Sequence, residues 1–74
     1  MMSKAEFLRK IKVAMDLMIG GANRAEAAHK VGIPDAELLF PIYVCVANPQ
    51  HNSTIDLLYC IEAAWEEYLA TSAQ

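Results

Sequence analysis

The feature that most constrains this sequence is the way residues that start and stop helices divide it into short segments. Ser3 and Glu6 form a capping box, in which the serine hydroxyl accepts a hydrogen bond from a free backbone amide and the glutamate reciprocates. Gly20 and Gly21 end the first segment and Gly32 ends the next, because glycine readily adopts the left-handed conformation that closes a helix. This punctuation predicts a series of short helices.

The spacing of the apolar residues assigns a buried face to the first two helices. A helix over residues 3–20 has apolar residues at every third or fourth position, and a second helix over 23–32 has small residues on its inner face. Asn23 caps the second helix, with Glu26 at the reciprocal position. The apolar stripe of the first helix consists of Phe7, Leu8, Ile11, Met15, Met18 and Ile19.

The second half of the chain predicts further helices. Asp35 is a suitable cap for a third helix over 35–47, which is apolar nearly all round and is therefore expected to be buried on every side. Pro41 either kinks this helix or lies in the first turn of a separate one, since a proline in a helix interior costs about 3 kcal/mol. A C-terminal amphipathic helix is predicted over 53–70. The expectation is one all-α domain over residues 1–74, with four to five helices.

Composition narrows the class of protein. With 74 residues, 55% of them hydrophobic, the chain has more apolar surface than one small core can hide, which favours a homodimer or a partner groove. The longest apolar stretch, 38–47, is about half of what a bilayer span needs, and no signal-peptide pattern is present. Cys45 and Cys60 do not make a disulfide framework. We therefore expect a cytoplasmic protein with reduced thiols and no membrane contact.

The charged residues are distributed unevenly along the chain. All six basic residues lie within the first thirty residues, where three acidic residues leave a net charge of +3. From Val31 onward there are six acidic residues and no basic one, so this part carries −6. The distribution predicts a molecule with a basic end and an acidic end, although ordinary solvated helix faces would give the same pattern.

One stretch, residues 19–39, combines a glycine-ended helix, a polar cap at Asn23, paired small residues and a glycine followed by an aliphatic residue at a turn. Ala28 is small enough for two helices to cross closely, and Gly32 makes the turn between them. This pattern resembles the helix-turn-helix family, in the variant found in phage and transposon proteins, including terminase small subunits. The resemblance covers about a third of the chain, and it implies a scaffold more than an activity.

The third helix departs from the pattern of that family. In the family this helix lies in the DNA major groove, where Arg, Lys, Asn or Gln read the edges of the bases. Here it offers Asp35, Glu37 and aliphatic residues, and a carboxylate is repelled by phosphate. The remaining basic side chains could contact phosphates but would specify little sequence. The candidates for DNA contact are Arg9, Lys12, Arg24 and Lys30.

No pattern for catalysis or a cofactor is present in the sequence. Cys45, Cys60, His29 and His51 lack the paired spacing that zinc ligands have. No strand precedes the glycine pair in the way that a phosphate-binding loop requires. A chain this short hardly forms a catalytic cleft. We therefore expect no enzyme activity, no metal and no cofactor.

The favoured function is a small regulatory protein of the kind found on phages and mobile elements. It would bind a protein partner and inhibit or adapt it through an acidic and apolar helical surface. Trp65 and Tyr68 either belong to the core or anchor this surface. The alternatives are a helix-turn-helix transcriptional regulator that binds DNA as a dimer, and a subunit of a ring or filament. The predicted protein-binding residues are Glu62, Glu66, Glu67, Trp65 and Tyr68.

Overall fold

The computed structural model describes residues 2–48 and 54–72. The described chain is all-helical, which confirms the predicted fold class. It contains four α-helices and one short 3-10 helix. They are α1 (Lys4–Ile19), α2 (Arg24–Val31), the 3-10 helix (Ala36–Leu39), α3 (Phe40–Ala47) and α4 (Thr54–Ser72).

The ends of α1 and α2 follow from the capping residues. The Ser3 hydroxyl accepts a hydrogen bond of 3.2 Å from the backbone N–H of Glu6. The side-chain oxygen of Asn23 accepts one of 2.8 Å from the backbone N–H of Glu26, and its side-chain amide donates to the Glu26 carboxylate at 3.2 Å. Gly32 ends α2 with a φ of 80°, in the left-handed region that favours glycine. Each helix thus begins and ends where the local sequence supplies a partner for its free backbone groups.

Pro41 lies near the boundary between two helical elements. The sequence allowed either one helix kinked at this residue or two separate helices. The Asp35 side chain accepts a hydrogen bond from the backbone N–H of Glu37 at 2.9 Å and so caps the 3-10 helix. Pro41 then lies at the second position of α3. The N–H that proline lacks has no partner within a helix at this position, so the residue is tolerated there. The structure therefore has a separate short helix in place of a kinked long one.

The core lies where the four α-helices and the 3-10 helix meet, with Ala27 and Ala28 as the contribution of α2. The ring of Phe7 stacks on that of Tyr68 with 5.1 Å between centroids, and its centroid is 5.3 Å from that of Trp65. The Tyr68 hydroxyl accepts a hydrogen bond of 2.9 Å from the backbone N–H of Met2, which links the start of α1 to the end of α4. The largest fully buried side chains are Phe7, Ile11, Leu39 and Ile42.

The two cysteines correct an expectation from the sequence. Cys45 of α3 and Cys60 of α4 form a disulfide, so the expectation of two reduced thiols is wrong for this structure. The residues are 15 positions apart, and they meet because α3 and α4 pack against each other. The spacing of the two cysteines in the sequence does not by itself predict that they pair. The bond fixes α3 against α4 beside the exposed face of α3 described below.

Candidate docking surfaces

One side of α3 is an exposed apolar face. Phe40, Tyr43 and Val44 are 49%, 43% and 39% exposed, while Ile42 and Cys45 of the same helix are buried. The three exposed residues have the spacing of neighbours on one side of a helix, and we call them the aromatic face. Single exposed apolar residues are ordinary, whereas a contiguous group marks an interaction site. The expectation that this helix is buried on every side is therefore wrong.

The side chain of Arg24 organises the aromatic face. Its guanidinium carbon lies 5.0 Å from the ring centroid of Phe40 and 5.3 Å from that of Tyr43, within the range of cation–π attraction. One guanidinium nitrogen is 3.7 Å from a carboxylate oxygen of Glu37. Arg24 thus extends from α2 across both rings and holds them in place. The sequence suggested Arg24 for contact with phosphate. In the structure its guanidinium interacts with Phe40, Tyr43 and Glu37 of the same chain.

Beside the aromatic face, three carboxylates surround an open cleft of about 280 Å³. The cleft lies between the 3-10 helix with the start of α3 on one side and the end of α4 on the other, and we call it the acidic cleft. Phe40 lines it as well, so the cleft and the aromatic face form one continuous surface. Its lining includes Asp35, Glu37, Glu67, Phe40, Pro41 and Thr71.

The three glutamates predicted to bind a partner lie in different surroundings. Glu67 lies in the acidic cleft, next to the aromatic face. Glu62 instead forms an ion pair of 2.9 Å with the ammonium group of Lys4, and both side chains are about half exposed. Glu66 is exposed on α4. Of the three, Glu67 is the one that lies next to the aromatic face. It is therefore the strongest candidate for contact with a docked partner.

The two predicted aromatic anchors lie in or against the core. Tyr68 is only 5% exposed, and it packs on Phe7 as described above. Trp65 is partly buried, and its ring is 5.6 Å from that of Tyr68. Of the two roles that the sequence left open, Tyr68 has the core one, because its side chain has little surface left for a partner. The sequence did not identify Phe40 and Tyr43 as surface aromatics, because α3 is apolar on all sides and its spacing does not say which side faces solvent.

A second concave surface lies on the basic half of the molecule. It is an open depression of about 240 Å³ between α1 and the end of α2, and we call it the basic cleft. Its lining includes Val13, which is 51% exposed. Cationic side chains line it as well, so the depression combines apolar and positively charged surface. The lining residues are Arg9, Lys10, Val13, Lys30 and Val31.

The four basic residues nominated for DNA contact do not form one surface. Arg9 and Lys30 line the basic cleft. Lys12 is an exposed residue whose ammonium group lies 3.6 Å from the Asp16 carboxylate, one helical turn along α1. Arg24 lies over the aromatic rings of α3. Two of the four candidates thus come together, and the other two have partners of their own.

Other kinds of site find little support in the described ranges. Within residues 2–48 and 54–72, no three His, Cys, Asp or Glu side chains are grouped so that they could hold a metal ion. His29 is exposed on α2, and His51 lies outside the described residues. Among the helices described, none is long and apolar enough to cross a membrane. The two clefts and the aromatic face each bring exposed apolar side chains next to charged ones.

The chain matches no known family model, no curated protein and no solved structure. The resemblance to the helix-turn-helix family stays a prediction that rests on the residue pattern of 19–39. In the structure that stretch comprises α2, the left-handed Gly32 and the 3-10 helix.

Proposed function

We propose that this protein is a small non-catalytic regulatory module that docks onto another protein through the acidic cleft and the aromatic face. The observation that carries the proposal is the half-exposed ring of Phe40, which belongs to both features. By covering a basic surface of its partner, such as a nucleic-acid-binding site, the module would inhibit or adapt it. This is the style of small regulators carried by phages and mobile elements.

The chemistry of the two features defines the partner. An aromatic side chain that enters an apolar recess supplies much of the energy of a protein interface, and surrounding charges add steering and selectivity. Phe40 and Tyr43 supply the rings, which Arg24 holds in place before any partner arrives. Rigid anchors lose little conformational entropy on binding. The fitting partner is therefore a protein surface with an apolar recess bordered by lysine or arginine.

DNA reading has less support from this geometry. In the family that the sequence resembles, bases are read by polar side chains of the third helix, which was predicted over 35–47 and which the structure divides into the 3-10 helix and α3. The exposed face of α3 instead presents Phe40, Tyr43 and Val44, of which only the tyrosine has a hydrogen-bonding group. The carboxylates of Glu37 and Glu67 lie beside this face and would repel phosphates. DNA binding in the test described next would therefore contradict the proposal.

The test is a titration of the purified protein against a fluorescent amphipathic peptide of leucine and lysine, and in parallel against a random-sequence DNA duplex. We expect the peptide to bind and the duplex not to bind at low salt, where electrostatic attraction is strongest. Glu67→Lys and Phe40→Ala should each weaken peptide binding. Glu66→Lys is the matched control, because it makes the same change of charge on the adjacent residue of α4, outside the acidic cleft.

Two results would contradict the proposal. Equal loss in Glu66→Lys and Glu67→Lys would mean that the peptide senses only net charge. Duplex binding that weakens as salt rises, and that is lost in Arg9→Ala/Lys30→Ala, would identify a protein that binds nucleic acid through its basic cleft.

A further inference from the structure

The molecule carries both members of a complementary contact on separate surfaces. We propose that copies of this chain associate head to tail, with Phe40 and the acidic cleft of one copy seated on the basic cleft of the next. This inference goes beyond the proposed function, and it can be tested on the purified protein alone.

The two clefts are separate in both sequence and structure. The basic cleft is formed by α1 and α2, whereas the acidic cleft is formed by the 3-10 helix, α3 and α4, and the two share no lining residue. One copy can therefore present both clefts at the same time. A contact between two different surfaces of the same molecule is heterologous, and it repeats from copy to copy into a ring or an open filament.

The apolar parts of the two surfaces can be brought together. Phe40 lines the acidic cleft and is half exposed, with the guanidinium of Arg24 over its ring. The basic cleft is a shallow depression lined by Val13 and Val31. Seating the ring against these valines would remove from water the apolar surface that each copy exposes alone. Burial of this kind is the main favourable contribution to association.

The charges around these apolar parts are complementary in sign. Three cationic side chains border the depression, and three carboxylates border the acidic cleft, where Glu37 also lies 3.7 Å from Arg24 of its own chain. The whole molecule carries a net charge of −3, so distant copies repel one another weakly. At 0.1 M salt the repulsion is screened beyond about 10 Å, while charges in direct contact still attract. The contacting groups are Arg9, Lys10 and Lys30 on one copy, with Asp35, Glu37 and Glu67 on the next.

Head-to-tail association would also control access to the docking surface. The acidic cleft and Phe40 serve both contacts, so a neighbouring copy and a partner protein would compete for them. This last consequence rests on the proposed function, whereas the self-association does not.

The experiment measures molar mass by light scattering across a concentration series of the full chain, at low and high salt. We expect the mean mass to rise with protein concentration at low salt and to fall when salt is added. Phe40→Ala/Glu67→Lys disables the acidic side, and Arg9→Glu/Lys30→Glu disables the basic side. Each variant alone should lose at least about tenfold in association constant, as is usual when a central anchor of an interface is removed.

Mixing the two variants tests the heterologous geometry directly. The intact basic cleft of the first variant can meet the intact acidic cleft of the second, so the mixture should form a dimer that grows no further. Glu66→Lys and Lys12→Glu are the matched controls, because they reverse exposed charges outside both clefts and should associate like the parent. Circular dichroism shows whether each variant is helical before its mass is interpreted.

Three outcomes would overturn the inference. The first is that the parent protein stays monomeric at every concentration in low salt. The second is that the mixture of the two variants stays monomeric. The third is a dimer that persists in both variants, which would indicate a symmetric contact. Failure here is distinguishable from failure of the proposed function. Arg9→Glu/Lys30→Glu leaves the acidic cleft intact, so it should still bind the lysine- and leucine-containing peptide.

Discussion

Replacing Phe7 with alanine is expected to remove a large part of the stability of this domain. Phe7 is fully buried, and its ring contacts the rings of both Trp65 and Tyr68. Truncating a buried phenylalanine costs about 3–5 kcal/mol, through lost transfer free energy and the cavity left behind. At about 0.05–0.15 kcal/mol per residue, a chain of 74 residues has a total stability of about 4–11 kcal/mol. The substitution should therefore remove between about a quarter and all of it.

The assay is urea unfolding followed by the fluorescence of Trp65, the single tryptophan of the chain, with circular dichroism as a second signal. Leu8→Ala is the matched control: it shortens the adjacent residue of α1, which is exposed, and should cost about 1 kcal/mol or less. Phe7→Leu keeps most of the buried volume and should unfold at an intermediate urea concentration, which keeps the comparison measurable if Phe7→Ala does not fold. Equal unfolding midpoints for Phe7→Ala and Leu8→Ala would refute the assignment of the core.

Three further substitutions or treatments test other parts of the structure by the same unfolding assay. Tyr68→Phe removes the hydroxyl that accepts the hydrogen bond from Met2 and should cost about 1 kcal/mol, with no loss of helical signal. Gly32→Ala places a side chain at a φ of 80° and should cost about 1–2 kcal/mol, an expectation that an unchanged midpoint would contradict. Reducing the bond between Cys45 and Cys60 opens a 15-residue loop and should cost about 3 kcal/mol in the chain-entropy model, with the double serine variant insensitive to reductant.

The helix ends could be predicted because they depend on neighbours in sequence. Ser3, Asn23 and Asp35 each accept a hydrogen bond from a backbone N–H two or three residues further on, and such contacts follow from the local residue order. Gly32 has the left-handed conformation expected of a glycine at the end of a helix. These local signals do not depend on how the rest of the chain packs.

The surfaces could not be predicted in the same way, because exposure depends on which elements pack together. The sequence of α3 is apolar on all sides, and only the packing of α1 and α4 decides that Ile42 faces the core while Tyr43 remains exposed. The sequence allows Tyr68 to be a core residue or an anchor, and the core role is established only by the packing of Phe7 from α1 against it. The pairing of Cys45 with Cys60 likewise depends on the packing of α3 on α4.

The contact between the start of α1 and the end of α4 has a consequence for synthesis of the protein. Met2 and Tyr68 are 66 positions apart, and Phe7 meets its aromatic partners on the same distant helix. The ribosome makes the chain from the N-terminus, so α1 emerges long before Trp65 and Tyr68, which pack on Phe7. Until α4 is available, Phe7 lacks these aromatic partners and is open to chaperones, whereas α2 and α3 can already pack against α1. Truncations that stop short of α4 should therefore be captured by chaperones or degraded instead of accumulating as folded fragments.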